Sequence, residues 1–182
     1  MKTVNRGFDK DVKMHLCCGD DSLRPVMSYI SFKNGFAYAT DAWVMVKNAL
    51  NEISDFTEDE IKAMDGKFVH KKTYALLLKE NIFSVSESGF ECYTDGEKKV
   101  IPFAVLEGRF PICDSVLPSG EQVPIDRIGI DPTYLEILNK SLPGTIGVSL
   151  NFFGELNGVL VRPLSRETSK CVGIIMPKVI NY

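Results

Sequence analysis

The sequence lacks the residue patterns that usually hold metal ions or nucleotides. It has only two histidines, His15 and His70, and its five cysteines show no C-x-x-C spacing, so a zinc site is not expected. No G-x-x-x-x-G-K-[ST] or G-x-G-x-x-G run occurs, so no nucleotide cradle is indicated. His15 stands near Cys17 and Cys18, but the spacing supplies no catalytic geometry. We therefore expect no cofactor, no metal and no enzymatic activity.

Long apolar runs and an excess of positive charge are also missing. The longest apolar stretches, such as residues 145–153, are too short to cross a bilayer, and the first residues do not form a secretory signal. The net charge of -3 gives no overall attraction to nucleic acid, although a local basic face remains compatible with it. The cysteines are best explained as reduced, mostly buried thiols in the cytoplasm, with one of Cys17 and Cys18 partly exposed.

The composition is that of a folded protein, with 45% apolar and 25% charged residues in 182. The first segment indicates a meander of short strands over 23–32, 36–40 and 43–47, with no clear helix. Thr57 and Glu60 have the spacing of a capping box, which predicts a short surface helix over 58–64.

Two later segments repeat one order of elements. The pattern of the first predicts a strand, a helix and three strands over 67–70, 71–79, 81–86, 90–94 and 99–106. The pattern of the second predicts the same order over 127–130, 131–142, 146–153, 159–163 and 171–177, with Asp131-Pro132 beginning the helix. Two β-α-β-β-β units about sixty residues apart indicate an internal repeat. The first segment then reads as a third copy without its helix.

Residues 107–118 have the character of a stiff connector that leaves the last strand of the middle segment. Gly108 permits a turn, while Pro111 and Pro118 restrict the backbone and remove two donors. The apolar residues of this stretch are expected to be exposed, and they are Phe110, Ile112, Val116 and Leu117. Composition alone favours an ordinary linker between domains.

Three motifs resemble the bacterial replicative sliding clamp, the beta subunit of DNA polymerase III. They are residues 39–45 (ATDAWVM) after the upstream stretch 24–32, residues 107–118 (EGRFPICDSVLP), and residues 173–179 (GIIMPKV), in family order. The resemblance implies an α+β, DNA-clamp-like fold built of β-α-β-β-β half-domain repeats, with antiparallel sheets and few helices. It implies that residues 1–120 correspond to the clamp's middle domain, with two half-domains of which the first lacks a clear helix. It also implies that residues 121–182 correspond to the last half of the clamp's C-terminal domain.

The resemblance also implies one peptide-binding pocket where the three motifs meet. In the family this pocket receives a short peptide, roughly Q-x-x-L/M-x-F, from polymerases, the clamp loader and repair proteins. Apolar, methionine-rich walls suit leucine and phenylalanine anchors. Transferred by motif position, the pocket residues are Met27, Thr40, Ala42, Trp43, Met45, Pro111, Val116, Ile174, Met176 and Pro177.

This sequence departs from the family at two of the motifs. The family's G-H-R is Ala42-Trp43-Val44 here, which leaves open whether the pocket is narrower, differently selective or filled. The family's F-P-D-Y-R-R is replaced by residues 110–115, so two cations near the pocket are missing and an acidic peptide would lose attraction. In the family, DNA contacts come from helices that line a ring, and the matching cations here are Lys71, Lys72, Lys79 and Lys140. Ordinary solvated lysines are the stronger interpretation of these four.

Two hypotheses of function follow. The first is a non-catalytic sliding-clamp-like protein that binds peptide motifs of replication and repair proteins and contacts double-stranded DNA as a homo-oligomer. The second is a stand-alone structural or regulatory binding domain that has the clamp fold and does not load on DNA. Neither hypothesis involves a membrane. The oligomeric state would discriminate between them, because a closed ring requires stable self-association.

Overall fold

The structure is a computed structural model that describes residues 6–94, 96–106, 108–144, 146–164 and 168–179. Seven of its strands form one antiparallel sheet in the order β4-β1-β2-β3-β10-β9-β8. The bounds of these strands are β1 Tyr29–Lys33, β2 Phe36–Thr40, β3 Val44–Ala49, β4 Phe68–His70, β8 Val148–Asn151, β9 Val159–Pro163 and β10 Val172–Ile175. The pairing of β3 with β10 joins the first segment of the chain to the last.

A second, three-stranded antiparallel sheet has the order β5-β6-β7, with bounds Ile82–Ser86, Gly89–Thr94 and Glu97–Pro102. The helices are α1 Leu50–Ile53, α2 Glu58–Ala63, α3 Lys71–Leu77 and α4 Pro132–Ser141. The capping box before α2 is confirmed, because Thr57 and Glu60 accept each other's backbone N–H groups. The predicted start of α4 is also confirmed, with the Asp131 side chain accepting the N–H of Thr133.

The predicted strand over 23–32 is wrong in its first half. Pro25–Ser28 forms a 3₁₀ turn, and the strand begins only at Tyr29. Pro25 has a restricted φ and no N–H, so this stretch cannot contribute a full ladder of hydrogen bonds. Another 3₁₀ turn, Met14–Cys17, lies where the other two segments have α3 and α4, and both helices pack against it. The predicted strand over 127–130 is reduced to a single bridge between Gly129 and Lys178.

The seven-stranded sheet separates two apolar clusters because alternate residues of a strand face opposite sides. On β3, Val44 and Val46 belong to the main core, whereas Met45 belongs to the second cluster. The main core lies on the helical side, where Phe8 and the fully buried Tyr74 have ring centroids 4.9 Å apart. The second cluster is smaller and comprises Tyr38, Met45, Cys113, Leu160, Val172 and Ile174.

The connector crosses the second cluster and is partly buried there. Its 3₁₀ turn, Cys113–Val116, places Cys113 in the cluster, where burial raises the pKa of the thiol to about 12. Ile112 and Val116 are exposed as expected, but Phe110 and Leu117 are half-buried against the cluster, so that part of the prediction is wrong. These two side chains are half-buried because they pack against the apolar residues on this face of the sheet. Glu107, the first residue of the connector, lies outside the described residues.

All five cysteines are described, and each is a buried thiol outside any disulfide. The expectation that one of Cys17 and Cys18 is partly exposed is wrong, because the 3₁₀ turn at Met14–Cys17 turns both side chains away from solvent. The boundary near residue 120 stays a prediction. None of the helices that the structure describes is long and apolar enough to cross a membrane.

Candidate functional site

A cavity of about 200 Å³ lies between the β2–β3 loop, the connector and the end of β10, and we call it the connector groove. Its lining comprises Met27, Thr40, Ala42, Trp43, Val44, Met45, Pro111, Ile112, Cys113, Val116, Ile174 and Met176. No lining side chain carries a charge, so the groove is suited to apolar groups. Three methionines line it, and their flexible side chains adapt to ligands of different shape.

Nine of the ten residues transferred from the three motifs line this one cavity, and Pro177 is the exception. Pro177 directly follows Met176 and is half-buried outside the lining. Three lining residues were not among the predicted site residues, namely Val44, Ile112 and Cys113. All three stand inside the quoted motifs. The conformation of the loop and of the 3₁₀ turn decides which motif residues face the groove. The sequence alone does not reveal this conformation.

Hydrogen bonds hold the loop between β2 and β3 that forms one wall of the groove. The Asp41 carboxylate accepts the N–H groups of Trp43 and Val44, each at 2.8 Å. The N–H of Met176 donates to the carbonyl of Trp43 at 2.8 Å, which ties the loop to the chain after β10. The first and last motifs are therefore joined by a direct backbone bond.

The groove is open, which answers the question raised by Ala42-Trp43-Val44. Trp43 is 55% exposed and lies at the rim, so its ring does not fill the cavity. Met45 and Ile174 are almost fully buried and form the floor. The opposite rim is formed by Ile112 and Val116 of the connector, both of them exposed. The groove therefore has a buried floor and exposed apolar rims, and it is accessible from solvent.

Ala42 has a backbone conformation that favours glycine. Its φ is +81°, in the left-handed region where the Cβ of an L-residue meets the following carbonyl oxygen. The loop keeps this shape because Thr40 Oγ1 accepts the N–H of Ala42 at 3.0 Å and donates to the carbonyl of Val44 at 2.8 Å. The strain is therefore balanced by hydrogen bonds on both sides of the loop.

The variant Ala42→Gly is expected to raise the free energy of unfolding by about 1 kcal/mol, because glycine adopts this φ without strain. The measurement is urea unfolding followed by circular dichroism. Ala39→Gly is the matched control, since Ala39 is a buried residue of β2 and its replacement should destabilise the protein. A loss of stability in Ala42→Gly would contradict the inferred strain.

An acidic side chain fixes the connector on the sheet. Asp114 accepts hydrogen bonds from Lys47 Nζ at 2.7 Å and from the Tyr38 hydroxyl at 3.1 Å. Burial and, after it, the neighbouring Asp114 carboxylate raise the pKa of Tyr38, so its hydroxyl remains a donor. Lys47 Nζ also lies 4.4 Å from the ring centroid of Phe36. The Asp114 charge is therefore engaged by the fold next to the groove.

The four lysines predicted to contact DNA differ in their surroundings. Lys71 pairs with Asp20 and donates to the carbonyl of Gly19, and Lys140 pairs with Glu136 at 2.5 Å. Lys72 and Lys79 are exposed. Helices α3 and α4 pack against the same 3₁₀ turn, so these lysines belong to the helical side of the sheet. DNA contact stays a prediction, since pairing with acids lowers the attraction that Lys71 and Lys140 offer to phosphate.

Two further features bear on the choice of site. A wider depression of about 520 Å³ lies between the β1–β2 turn and α2, and its lining contains none of the predicted site residues. Among the residues described, no group of three or more His, Cys, Asp or Glu side chains is arranged to hold a metal ion. The connector groove is therefore the site in which the transferred residues meet.

No protein-family model and no curated protein matches the sequence. Solved structures do match over nearly the whole chain. The DNA polymerase sliding clamp from Bacillus subtilis is 13% identical with a TM-score of 0.62, and the match covers 98% of this chain and 64% of that one. The chain has the sliding-clamp fold. The predicted fold class, α+β with antiparallel sheets and few helices, is thereby confirmed.

Other solved structures with the sliding-clamp fold agree with this assignment. The DnaN sliding clamp from Bartonella birtlesii, crystallised bound to griselimycin, is 13% identical with a TM-score of 0.65. The match covers 99% of this chain and 68% of that one. The beta sliding clamp from C. crescentus is 13% identical with a TM-score of 0.64, and the match covers 99% of this chain and 67% of that one. This chain therefore spans about two thirds of these clamps and shares their backbone arrangement rather than their sequence.

Proposed function

We propose that this protein is a non-catalytic binding protein whose connector groove receives a short linear peptide of a replication or repair protein. The observation that carries the proposal is the lining of the groove, in which nine residues from three separate motifs meet in one apolar cavity. The sliding-clamp fold supports the assignment of the partner, since the similar structures are sliding clamps of DNA polymerase.

The size of the groove supports a peptide anchor rather than a free metabolite. At about 200 Å³ the cavity is smaller than the roughly 300–1,000 Å³ of pockets for drug-sized ligands. It suits one or two apolar side chains that project from an extended peptide. A leucine or phenylalanine buried there would contribute about 2 kcal/mol to binding. Because the lining carries no charged side chain, an acidic or basic side chain of the peptide would form no ion pair there.

The test uses Trp43 as the probe, because it is the only tryptophan and lies at the rim of the groove. A Q-x-x-L-x-F peptide is expected to change the tryptophan fluorescence in a saturable way, with the same Kd by calorimetry. A peptide with alanine at both apolar positions is the control and should not bind. The Kd should change less than about twofold between about 0.05 and 0.5 M salt, because no lining side chain is charged. Absence of both signals would overturn the proposal.

The second candidate function is a stand-alone binding domain that does not load on DNA. It is favoured by the acidic partners of Lys71 and Lys140, which lower the attraction of these two lysines to phosphate. The two functions differ in their effect on a fluorescent double-stranded DNA oligonucleotide. A rise in its anisotropy that salt abolishes would support DNA contact. No rise, together with peptide binding, would support the stand-alone domain.

A further inference from the structure

A second cavity borders the connector groove on the same face of the seven-stranded sheet, and we call it the flank cavity. Its volume is about 480 Å³, and it lies between β1, β2, β4 and residues 108–114 of the connector. Pro111, Ile112 and Cys113 line both the flank cavity and the connector groove. The connector therefore forms the boundary between two adjacent cavities.

The two cavities are close enough for one extended peptide to enter both. Tyr38 lines the flank cavity and Thr40 lines the groove, and these residues are two positions apart on β2. Residues two apart on a strand face the same side and are separated by about 7 Å, and an extended peptide has the same rise. A peptide residue about two to four positions from an anchor in the groove can therefore reach the flank cavity.

The flank cavity has apolar walls. Phe68 of β4 and Phe110 of the connector are both half-buried, and their ring centroids are 6.1 Å apart. Tyr38 and Cys113 are buried beside the connector. Such walls give the methylene groups of a long polar side chain an apolar surface on which to pack, while its charged end stays near solvent.

Unlike the connector groove, the flank cavity is also lined by cations. Lys33 and Arg109 contribute to its lining, and both side chains are exposed. In the part of the chain that the structure describes, no ion pair joins either of them to an acid. Their charges are therefore available to a ligand.

The two acids in the lining are already engaged by the fold. Asp114 accepts hydrogen bonds from Lys47 and from the Tyr38 hydroxyl, and Asp65 accepts the N–H of Asn34 at 2.6 Å. When Lys47 is counted with the two exposed cations, three cations face two acids. The excess of positive charge is local, because the whole chain has a net charge of -3.

We propose that the flank cavity binds an acidic residue of the same peptide that anchors in the connector groove, an inference that rests on the proposed function. A glutamate suits both features of the cavity. Its methylene groups pack on the rings of Phe68 and Phe110, and its carboxylate pairs with Arg109 and Lys33. The cations of the flank cavity thus supply the attraction that residues 110–115 do not offer to an acidic peptide.

Calorimetry with matched peptides tests this inference. Each peptide has a Q-x-x-L-x-F core, acetylated and amidated ends, and a pair of glutamates either before or after the core, and its partner has glutamines at those positions. One glutamate peptide should bind about fivefold tighter than its glutamine partner at low salt, since exposed ion pairs contribute modestly. The gain should vanish at about 0.5 M salt because exposed charges are screened. The other glutamate peptide should show no gain, because the flank cavity lies to one side of the groove.

Variants of the two cations locate the effect. Arg109→Gln and Lys33→Gln should each reduce the gain from glutamate, and the double variant should abolish it without changing the Kd of the glutamine peptide. Both side chains are exposed, so the fold should survive. Lys10→Gln is the matched control, because Lys10 is exposed and lines neither cavity, and it should keep the full gain.

The outcomes separate this inference from the function proposed for the groove. Binding of the glutamine peptides with no gain from glutamate would overturn the inference and leave the groove function intact. An equal gain at both ends, or a gain that survives the double variant, would also overturn it, since the charge would then act elsewhere. Absence of binding by every peptide would overturn the groove function, and the inference with it.

Discussion

The variant Met176→Glu is expected to weaken binding of a Q-x-x-L-x-F peptide by about 100-fold or more, which corresponds to about 3 kcal/mol. Met176 lines the connector groove, and a carboxylate there would be buried by the apolar anchor without a partner. The fold should survive, because Met176 is only half-buried and its N–H bond to the Trp43 carbonyl does not involve the side chain. Calorimetric titration of the variant provides the measurement.

Val179→Glu is the control for this experiment. Val179 lies three residues further along the same tail, is 74% exposed and does not line the groove. It introduces the same charge, so its Kd should match that of the unmodified protein. An equal loss of peptide affinity in both variants would indicate an effect of the tail or of the net charge. An unchanged Kd in Met176→Glu would show that the peptide binds elsewhere.

The variant Gly173→Ala is expected to lower the free energy of unfolding by about 2 kcal/mol. Gly173 lies in β10, and an added Cβ would come within 2.7 Å of both methyl carbons of Leu138 in α4. Leu138 is fully buried, so its side chain has little room to move. Gly173 thus allows α4 to pack closely on the strand that also carries Ile174 of the groove floor. Denaturant unfolding provides the measurement.

A double-mutant cycle identifies the cause of that loss. Leu138→Ala alone should lower the free energy of unfolding by about 3 kcal/mol because it leaves a cavity in the core. The pair Gly173→Ala with Leu138→Ala should cost less than the sum of the two, since the new methyl group fills part of that cavity. Gly7→Ala is the matched control, because no atom lies within 4 Å of its added Cβ. Additive losses in the cycle would contradict the close contact.

Local signals in the sequence predicted much of the fold. The capping box at Thr57 and Glu60 and the start at Asp131-Pro132 identified α2 and α4, because a cap depends on residues only a few positions apart. Alternating apolar residues identified most strands for the same reason. The 3₁₀ turn at Pro25–Ser28 was missed, since the strand-forming residues around it outweighed a single proline.

Most residues that line the groove were among those transferred from the resemblance, but the shape of the groove was not predicted. Its residues were transferred by motif from a resemblance, and nine of them line one cavity. The contributions of Ile112 and Cys113 depend on where the connector crosses the sheet, which is set by Asp114 binding Lys47 and Tyr38. These contacts join residues far apart in the chain, so no local pattern reveals them.

The sequence by itself determined most of the strands, the helices α2, α3 and α4, the caps of α2 and α4, and the repeat, because these depend on neighbours along the chain. Only the tertiary structure decided that β3 pairs with β10, how the loop and the tail shape the groove, and that β8 lies at the end of the seven-stranded sheet. The physical reason is that strand pairing and burial are set by contacts between distant segments. Each such contact satisfies backbone groups or buries apolar surface that a single segment cannot cover alone.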